Sequence, residues 1–277
     1  MSSIPQLKNK LKSARTTSKM SKAMKAVSAA KFARLSSIRR AYSQYADEFR
    51  SLYGIQMYSK NTSTVKTDTV LVLGSNIGFC GHFNTETCLY FETNVLNSGR
   101  PANLIVCGGK MIRTLSDHGL TPDYSFIFSD IPTFKECEEL FRLLKKLAGS
   151  RRSYPIRVVR PMYRNTLIQI PGSEIMILNP ELSRLNTSSM LFLPDAATVL
   201  SDLPDKAFHA LLFSAVLDTA LGAQAATLIS MRSAYDNAAE YINTLEKQIH
   251  RQRQNEVTSD VIEISSERTG KGDEENV

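Results

Sequence analysis

Residues 4–53 read IPQLKNKLKSARTTSKMSKAMKAVSAAKFARLSSIRRAYSQYADEFRSLY, and this stretch decides the architecture of the chain. It contains no glycine, and its one proline, Pro5, lies near the start, where a helix tolerates proline. Apolar side chains recur at alternating steps of three and four, at Leu35, Ile38, Tyr42, Tyr45, Phe49 and Leu52. This period is typical of a helix that lies against another helix. The predicted helix is roughly 75 Å long at 1.5 Å per residue, so it needs a partner along that seam.

The first part of this helix is strongly basic. Eleven Lys or Arg residues precede Ala41, the first acidic residue is Asp47, and the net charge of the whole chain is +7. A block of cations of this kind commonly meets phosphates, anionic lipid or acidic protein. The block also carries an apolar stripe of its own, formed by Met20, Met24, Val27 and Ala30.

A different pattern follows the polar stretch 54–67, which we interpret as a linker. Short β-branched runs alternate with amphipathic segments that end at glycines, which predicts a small α/β domain with a largely parallel sheet. The predicted strands are 69–73, 104–107, 124–128, 155–160, 165–170 and 175–178, with an exit at 191–194. The predicted helices are 81–97, 110–118 and 133–148.

A second long helix is predicted from about Pro204. One glycine and no proline occur from Asp205 to Arg268, and a seam with the same three-four period runs from Leu228 to Ile249. Two long seams at opposite ends of the chain, separated by a compact insert, predict an antiparallel coiled coil of the terminal helices. The alternative is that each helix packs elsewhere, as in a symmetric homodimer.

The second seam stops at a polar segment. Residues 250–256, HRQRQNE, contain no apolar side chain, and Val257, Val261 and Ile264 then resume in a shifted phase. We expect this part of the helix to continue without its partner, or to be held by polar groups of another protein. The Gly- and acid-rich end, 265–277, is expected to be disordered. The expected domains are long terminal helices at 1–60 and 205–268, an α/β domain at 68–200 and a disordered acidic tail at 269–277.

The sequence shows no assembled catalytic or metal site. The four cysteines form no CxxC pair and no Cys/His cluster at metal spacing, and the four histidines are scattered. The glycine-rich stretch 74–81 follows a predicted strand but has neither GxGxxG nor GxxxxGKS/T spacing, so we interpret its glycines as turn residues. No cofactor or metal is expected, and we predict a protein without catalytic activity of its own. No apolar run reaches the length of a membrane span.

Other functions fit parts of this pattern. A basic helix followed by a seam also occurs in DNA-binding zippers, although a stripe that contains methionine is unfavourable for reading bases. A nucleotide-binding α/β enzyme is a weaker alternative. The basic, Ser-rich N-terminus also resembles an organelle transit peptide, but the seam runs without a break into Leu52, which argues against that interpretation.

Three separated motifs resemble the gamma subunit of F-type ATP synthases. TSKMSKAMKAVSAAK at 17–31 is similar to the T-x-K-I-T-K-A-M-x-M-V-A-A-x-K of the family's N-terminal helix. SNIGFCGHFN at 75–84 is similar to its S-D-R-G-L-C-G-G-x-N loop, and 225–264 are similar to its C-terminal helix. The resemblance is specific at both helices and weaker from about 97 to 204.

The resemblance implies an antiparallel coiled coil with an inserted Rossmann-like α/β domain. In the family this coil is the shaft that turns inside a head of alternating alpha and beta subunits, driven by ion flow through a membrane c-ring, and it carries no catalytic residue. The implied partners are the alpha and beta subunits, an epsilon-type subunit and the c-ring, without nucleic acid and without a membrane span. The implied location is peripheral, on the cytoplasmic face of the bacterial inner membrane, with the organelle counterpart as the alternative.

The resemblance also implies contact residues. Acidic loops of the beta subunits would meet Lys19, Lys22, Met24 and Lys25. The catch loops of the head would form hydrogen bonds with Arg253, Gln254 and Thr258. In the family, the S-D-R-G-L-C-G-G-x-N loop lies near the base of the beta subunits. The residues that match this loop here are Asn76, Gly78, Cys80 and Gly81.

The chain departs from the family pattern at three places. Ile77 replaces a charged residue, His82 replaces the second glycine of C-G-G, and SSERTGKGDEENV at 265–277 replaces the usual apolar ending. An acidic tail would emerge from, or crowd, the apolar sleeve at the top of the head.

Overall fold

The computed structural model describes residues 3–53, 58–59, 67–180 and 195–272. Its contacts divide the chain into a coil unit, Met1–Lys25 with Met231–Val277, and an α/β unit, Ala26–Ser230. The helices are α1 (Ile4–Tyr53), α2 (Phe83–Asn94), α3 (Gly109–Asp117), α4 (Phe134–Ala148) and α5 (Ala196–Gly272), with a 3-10 turn at Leu96–Ser98. The strands are β1 (Tyr58–Ser59), β2 (Thr69–Leu73), β3 (Asn103–Cys107), β4 (Tyr124–Phe126), β5 (Tyr154–Tyr163) and β6 (Gln169–Leu178).

The α/β unit is built on a six-stranded sheet with the order β1-β6-β5-β2-β3-β4. Strand β2 pairs in parallel with β3 and β5, and β3 pairs in parallel with β4, whereas β6 runs antiparallel to β5 and to β1. Helices connect the parallel strands, as such crossovers require. The predicted fold class, long terminal helices with a Rossmann-like α/β insert, is confirmed.

One predicted strand was wrong. Residues 165–168 form the turn between β5 and β6, where the backbone N–H groups of Leu167 and Ile168 donate to the Asn165 side-chain oxygen at 2.9 and 2.8 Å. These two hydrogen bonds to the asparagine side chain replace the backbone hydrogen bonds that a strand would make.

Helices cover both faces of the sheet. Val70 and Val72 of β2 pack in a core with α2 and α3, whereas Leu71 and Leu73 pack in a core with α4 and with parts of α1 and α5. Successive side chains of a strand point to opposite faces, so a strand covered on both sides must be apolar throughout. This explains the sequence TVLVL in β2.

A buried ion network joins α1 and α5 to the sheet within the α/β unit. Arg160 on β5 donates to Glu174 on β6 over 2.9 Å and lies 3.5 Å from Asp218 on α5. Asp218 also accepts a hydrogen bond from Arg39 on α1. The side chain of Glu174 is fully buried and that of Arg160 is 7 % exposed. Because buried charges are tolerated only when they are paired, this network fixes both helices on the sheet.

In the coil unit, α1 and α5 pack through an apolar seam. Leu7 and Leu245 are buried together, with Leu11, Ile242 and Ile249 around them. Early residues of α1 therefore meet late residues of α5, so the two helices are antiparallel. The terminal helices pair within one chain, as the two seams predicted.

The buried face of α1 differs from its predicted apolar stripe. Met20 and Val27 of that stripe are each 53 % exposed. The buried positions instead recur every seven residues, at Leu7, Ala14, Ser21, Ser28 and Leu35. Small side chains at such positions allow close helix packing. The apolar stripe is therefore not the buried face of this part of α1, where two serines occupy buried positions.

Helix α5 begins earlier than predicted. Its N-terminus is capped by Asp195, whose carboxylate accepts from the backbone N–H and the hydroxyl of Thr198 at 2.8 and 2.9 Å. These hydrogen bonds hold the pKa of Asp195 below its usual value. Pro204, near which the sequence predicted the start, lies inside the helix, although proline is unfavourable there.

Several predicted boundaries do not coincide with those of the structure. Helix α5 continues to Gly272, so residues 265–272 of the stretch that was expected to be disordered are helical. Residues 273–277, the predicted exit at 191–194 and most of the linker at 54–67 lie outside the described residues. The two units are divided within the long helices, after Lys25 and after Ser230, rather than near residues 60 and 205. The predicted domain limits stay a prediction.

Candidate partner interfaces

A group of cations lies on the surface of α1 in the coil unit. Lys19 and Lys22 are exposed and Lys25 is half-buried, and none of the three pairs with a carboxylate of the residues that the structure describes. Arg15, by contrast, forms an ion pair with Glu246 of α5 at 2.7 Å. Met24, between these lysines, is half-buried. This surface can attract acidic groups without imposing a fixed geometry on them.

Helix α5 extends beyond the coil. Helix α1 begins at Ile4, and Ile249 is the last α5 residue in the coil cluster. The overhang, which we define as residues 250–272, is 23 residues long. At 1.5 Å per residue it spans roughly 34 Å.

The overhang exposes the residues that are predicted to contact the catch loops of the head. Every side chain from 253 to 264 is exposed, and these include Arg253, Gln254 and Thr258. The Thr258 hydroxyl donates to the Gln254 carbonyl at 2.8 Å, so its oxygen can still accept a hydrogen bond from outside.

The overhang also exposes an apolar face. Val257, Val261 and Ile264 are 56 %, 60 % and 58 % exposed. Residues at this spacing share one face of a helix. An uncovered apolar face marks a surface that another protein can cover.

The loop between β2 and α2 is held by buried polar side chains. The Asn84 side-chain oxygen accepts from the Ser75 backbone N–H at 2.9 Å, and its amide donates to the Ser75 hydroxyl at 2.7 Å. The same amide lies 3.4 Å from the sulfur of Cys80, which is 4 % exposed. The Cys80 side chain therefore supports the loop from within.

Two further predicted contact residues shape this loop. The Asn76 side-chain amide donates to the Phe128 carbonyl, and its oxygen accepts from the Gly109 N–H at 3.4 Å. Gly81 has a φ of 58°, a left-handed conformation that strains any residue with a side chain. Asn76 therefore ties the loop to neighbouring backbone groups, and Gly81 allows the left-handed turn of the loop.

The outer side of the loop presents apolar side chains. Ile77 is 40 % exposed and Phe79 is 55 % exposed, while Gly78 between them is partly exposed. Phe79 also has a positive φ of 63°, a conformation that is uncommon for a bulky residue. The structure therefore presents Ile77 and Phe79, which sequence reasoning did not select as contacts, more openly than Asn76 or Cys80. Their exposure depends on the path of the loop, which the residue types alone do not reveal.

A small cavity lies beneath the same loop. It has a volume of about 40 Å³ and is lined in part by Ser75, Asn76, Cys107 and Gln224. Small-molecule sites usually occupy roughly 300–1,000 Å³. The size of this cavity favours a few ordered waters over a nucleotide.

One side-chain cluster was missed from the sequence. Cys88, Glu92 and His118 bring a sulfur, a carboxylate oxygen and an imidazole nitrogen within 4.8 Å of one another. The expectation that no metal is bound stays a prediction, because it rested on sequence spacing and this cluster forms only in the fold. His118 follows Glu92 by 26 residues, and only the packing of α3 against α2 brings the two together.

An intrachain coil with unpaired cations, a helical overhang and an α/β insert together define a shaft-type subunit of a larger assembly. The chain belongs to the ATP synthase family, whose family model matches residues 3–267. It is 26 % identical to the ATP synthase gamma chain of Rubrobacter xylanophilus, over 96 % of this chain and 97 % of the relative. It is also 27 % identical to the ATP synthase gamma chain of a Chelativorans species, over 96 % of this chain and 98 % of that relative. The resemblance to the gamma subunit is confirmed.

Solved structures share the fold. The mitochondrial ATP synthase of Euglena gracilis, solved as an assembly of OSCP, F1 and c-ring, has a chain with a TM-score of 0.77 at 14 % identity, and the match covers 99 % of this chain and 96 % of that one. A chain of the central stalk and c-ring of the Tetrahymena thermophila enzyme has a TM-score of 0.58 at 19 % identity, covering 78 % and 99 %. At these identities the likeness is one of fold.

The family match gives no support to the nucleic-acid alternative. Within the described residues, α5 is long and apolar enough to cross a membrane by length and composition, so the prediction that no such run exists was wrong. However, 72 % of its most apolar stretch is buried inside the protein, as in the core helix of a globular protein.

Proposed function

We propose that this chain is the rotating central shaft of an F-type ATP synthase, which couples ion flow through a c-ring to ATP synthesis or hydrolysis in an alpha/beta head. The observation that carries the proposal is the overhang of α5. An unpaired helix with an exposed apolar face gains little stability from its own residues, which favours a surrounding protein that covers it. The match to gamma chains over nearly the whole length supports the same role.

The lysines at 19, 22 and 25 provide attraction at a turning interface. An exposed ion pair contributes about 0.2–1 kcal/mol, so three pairs contribute roughly 0.6–3 kcal/mol. At physiological ionic strength this attraction extends about 8 Å and needs no particular hydrogen-bond geometry. Acidic loops on successive beta subunits can therefore replace one another as the shaft turns.

The overhang provides the contacts in the upper part of the head. Arg253, Gln254 and Thr258 offer donors and acceptors to the catch loops, and their exposure leaves them accessible. The apolar face at Val257, Val261 and Ile264 fits an apolar sleeve.

The α/β unit serves the base of the head and the membrane side. Ile77 and Phe79 would meet the base of the beta subunits, while the remaining surface meets an epsilon-type subunit and the c-ring. The chain would thus be a peripheral membrane protein on the cytoplasmic face of a bacterial inner membrane. It would contribute no catalytic residue and hold no cofactor, because the hydrolytic sites belong to the head.

The stoichiometry of the native complex tests this role. The chain is purified together with the alpha and beta subunits of the same cell, and the mass of the intact complex is measured. We expect one copy of this chain for three alpha and three beta subunits, attached to the membrane fraction through a c-ring. Recovery as a free homodimer without ATPase subunits would contradict the proposal.

The lysines are tested by a charge-matched pair of triple variants. The test variant carries Lys19→Gln, Lys22→Gln and Lys25→Gln. The control carries Gln at three exposed lysines of the α/β unit, at positions 135, 146 and 206. Both variants lose three positive charges.

Binding to the alpha/beta hexamer is then measured at low and high salt. The test variant should bind roughly 3- to 150-fold more weakly than the control at low salt, from the pair energies above. The difference should shrink in high salt, which screens exposed charges. Equal weakening in both variants would show that only net charge matters and that these lysines are not the contact.

A further inference from the structure

Three side chains of types that can act as metal ligands converge on the side of the sheet covered by α2 and α3. The His118 Nδ1 atom lies 2.9 Å from a carboxylate oxygen of Glu92, and the Cys88 sulfur lies 4.0 Å from the same oxygen. All three candidate ligand atoms lie within 4.8 Å of one another. In a tetrahedral zinc site, bonds of about 2.0–2.3 Å place neighbouring ligand atoms roughly 3–4 Å apart. Small side-chain rotations would therefore bring the cluster to that geometry.

The backbone fixes these side chains before any ion arrives. Cys88 and Glu92 are four residues apart on α2 and so lie on one face of the helix. His118 directly follows the last residue of α3, where Gly119 turns the chain with a φ of 76°. The two helices pack against each other through a fully buried core that includes Cys88 and Leu115. The ligand set is thus held by two packed helices rather than by a loop.

The chemistry of the donors selects the ion. A thiolate, an imidazole and a carboxylate together suit zinc and similar transition metals, whereas magnesium prefers oxygen ligands and water. His118 is exposed and Glu92 is partly exposed, so an ion can enter between them and water can complete the coordination. We propose that Cys88, Glu92 and His118 form a zinc-binding site that joins α2 to α3. On binding, the thiol proton is released to solvent and the sulfur bonds to the metal, with no change in oxidation state.

The full-length chain is titrated with zinc, and with cobalt as a spectroscopic substitute. Wild-type protein should bind one zinc per chain and show a sulfur-to-cobalt charge-transfer band. His118→Asn should lower the affinity by more than about tenfold, since even the outer partners of metal ligands contribute 10- to 100-fold. Cys88→Ser should abolish the charge-transfer band. Magnesium should not compete.

Two control variants remove the same residue types elsewhere. Cys137→Ser replaces another buried cysteine and His250→Asn another exposed histidine, and both should bind zinc as the wild type does. Zinc should also raise the Tm of the wild type and of both controls but not that of His118→Asn, because a ligand of the native state stabilises it. Since His118 is exposed, this variant should fold even if Cys88→Ser does not.

The proposal is overturned if wild-type protein binds no more zinc than His118→Asn, or if the cobalt complex lacks a sulfur band. Either result would mean that the cluster is an ion pair between His118 and Glu92 with a thiol nearby. Neither result bears on the shaft role, because the cluster is separate from every contact residue proposed above.

Discussion

The buried ion network of the α/β unit offers the sharpest test of how the long helices are fixed to the sheet. Replacing Glu174 by Gln removes one charge from a group of two arginines and two carboxylates, and leaves Arg160 with Asp218 at 3.5 Å. The Glu174 side chain is fully buried, so solvent cannot compensate for the lost charge. Removing one partner of a buried pair typically costs about 3–5 kcal/mol. We expect a loss of that size in the free energy of unfolding of the α/β unit.

A double variant separates the charge effect from simple loss of packing. Arg160→Met with Glu174→Leu removes both charges, keeps comparable side-chain volume and leaves the ion pair between Arg39 and Asp218 in place. Apolar replacement of a whole buried pair is often neutral or stabilising. The double variant should therefore be more stable than Glu174→Gln. Glu138→Gln, which removes an exposed partner of Arg142 on α4, is the control and should have no measurable effect.

Urea unfolding and hydrogen exchange in β5 and β6 measure these effects. With a slope of about 3 kcal/mol per molar, a loss of 3–5 kcal/mol lowers the urea midpoint by roughly 1–1.7 M. Exchange of the β5 and β6 amides assigns the loss to the α/β unit rather than to the coil unit. The reasoning is refuted if Glu174→Gln unfolds within 0.3 M of the wild type, roughly 1 kcal/mol, or if the double variant is less stable than the single one.

Three other predictions concern the two cores. Leu245→Ala should destabilise the coil unit by about 2–5 kcal/mol, seen as faster proteolysis of residues 4–25, whereas Ala at the half-exposed Tyr241 should not. His209 is buried against Phe residues of α4, and burial lowers its pKa. The unfolded chain therefore binds the proton more readily, so stability should fall as pH drops below about 6.5, and His209→Gln should flatten that dependence in acid unfolding curves. Burial raises the pKa of Cys107, and raises that of Cys137 to about 12, so a thiol reagent at neutral pH should modify these cysteines only after unfolding.

The sequence predicted the features that depend on apolar period. The strand at Thr69–Leu73 and the seam from Leu228 to Ile249 were both recognised because their buried positions are apolar, and buried or half-buried side chains occupy that seam in the structure. Ser21 and Ser28 escaped the same search, since their burial reflects close helix packing rather than hydrophobicity. The buried face in the first half of α1 therefore cannot be found from apolar residues alone.

Tertiary packing decided what the sequence could not predict. Cys88 and Glu92 share a helix face, but His118 joins them only because α3 packs on α2. Helix α5 starts at Ala196, where Asp195 caps its N-terminus. The helix therefore begins before Pro204, which it accommodates in its interior. The contact loop was located correctly, yet the inward position of Cys80 depends on hydrogen bonds to Asn84 that no spacing rule contains.

The apolar seam between α1 and α5 ends near Ile249. The sequence predicts this end from the polar segment at 250–256, which has no apolar side chain. In the coil unit Leu7 clusters with Leu245, so in an antiparallel pair the residues of α5 beyond Ile249 would lie opposite positions that precede Ile4, where α1 begins. The polar segment therefore begins close to the level of the first helical residue of α1. The exposed face at Val257, Val261 and Ile264 lies beyond that level, and a surrounding head would cover this apolar surface.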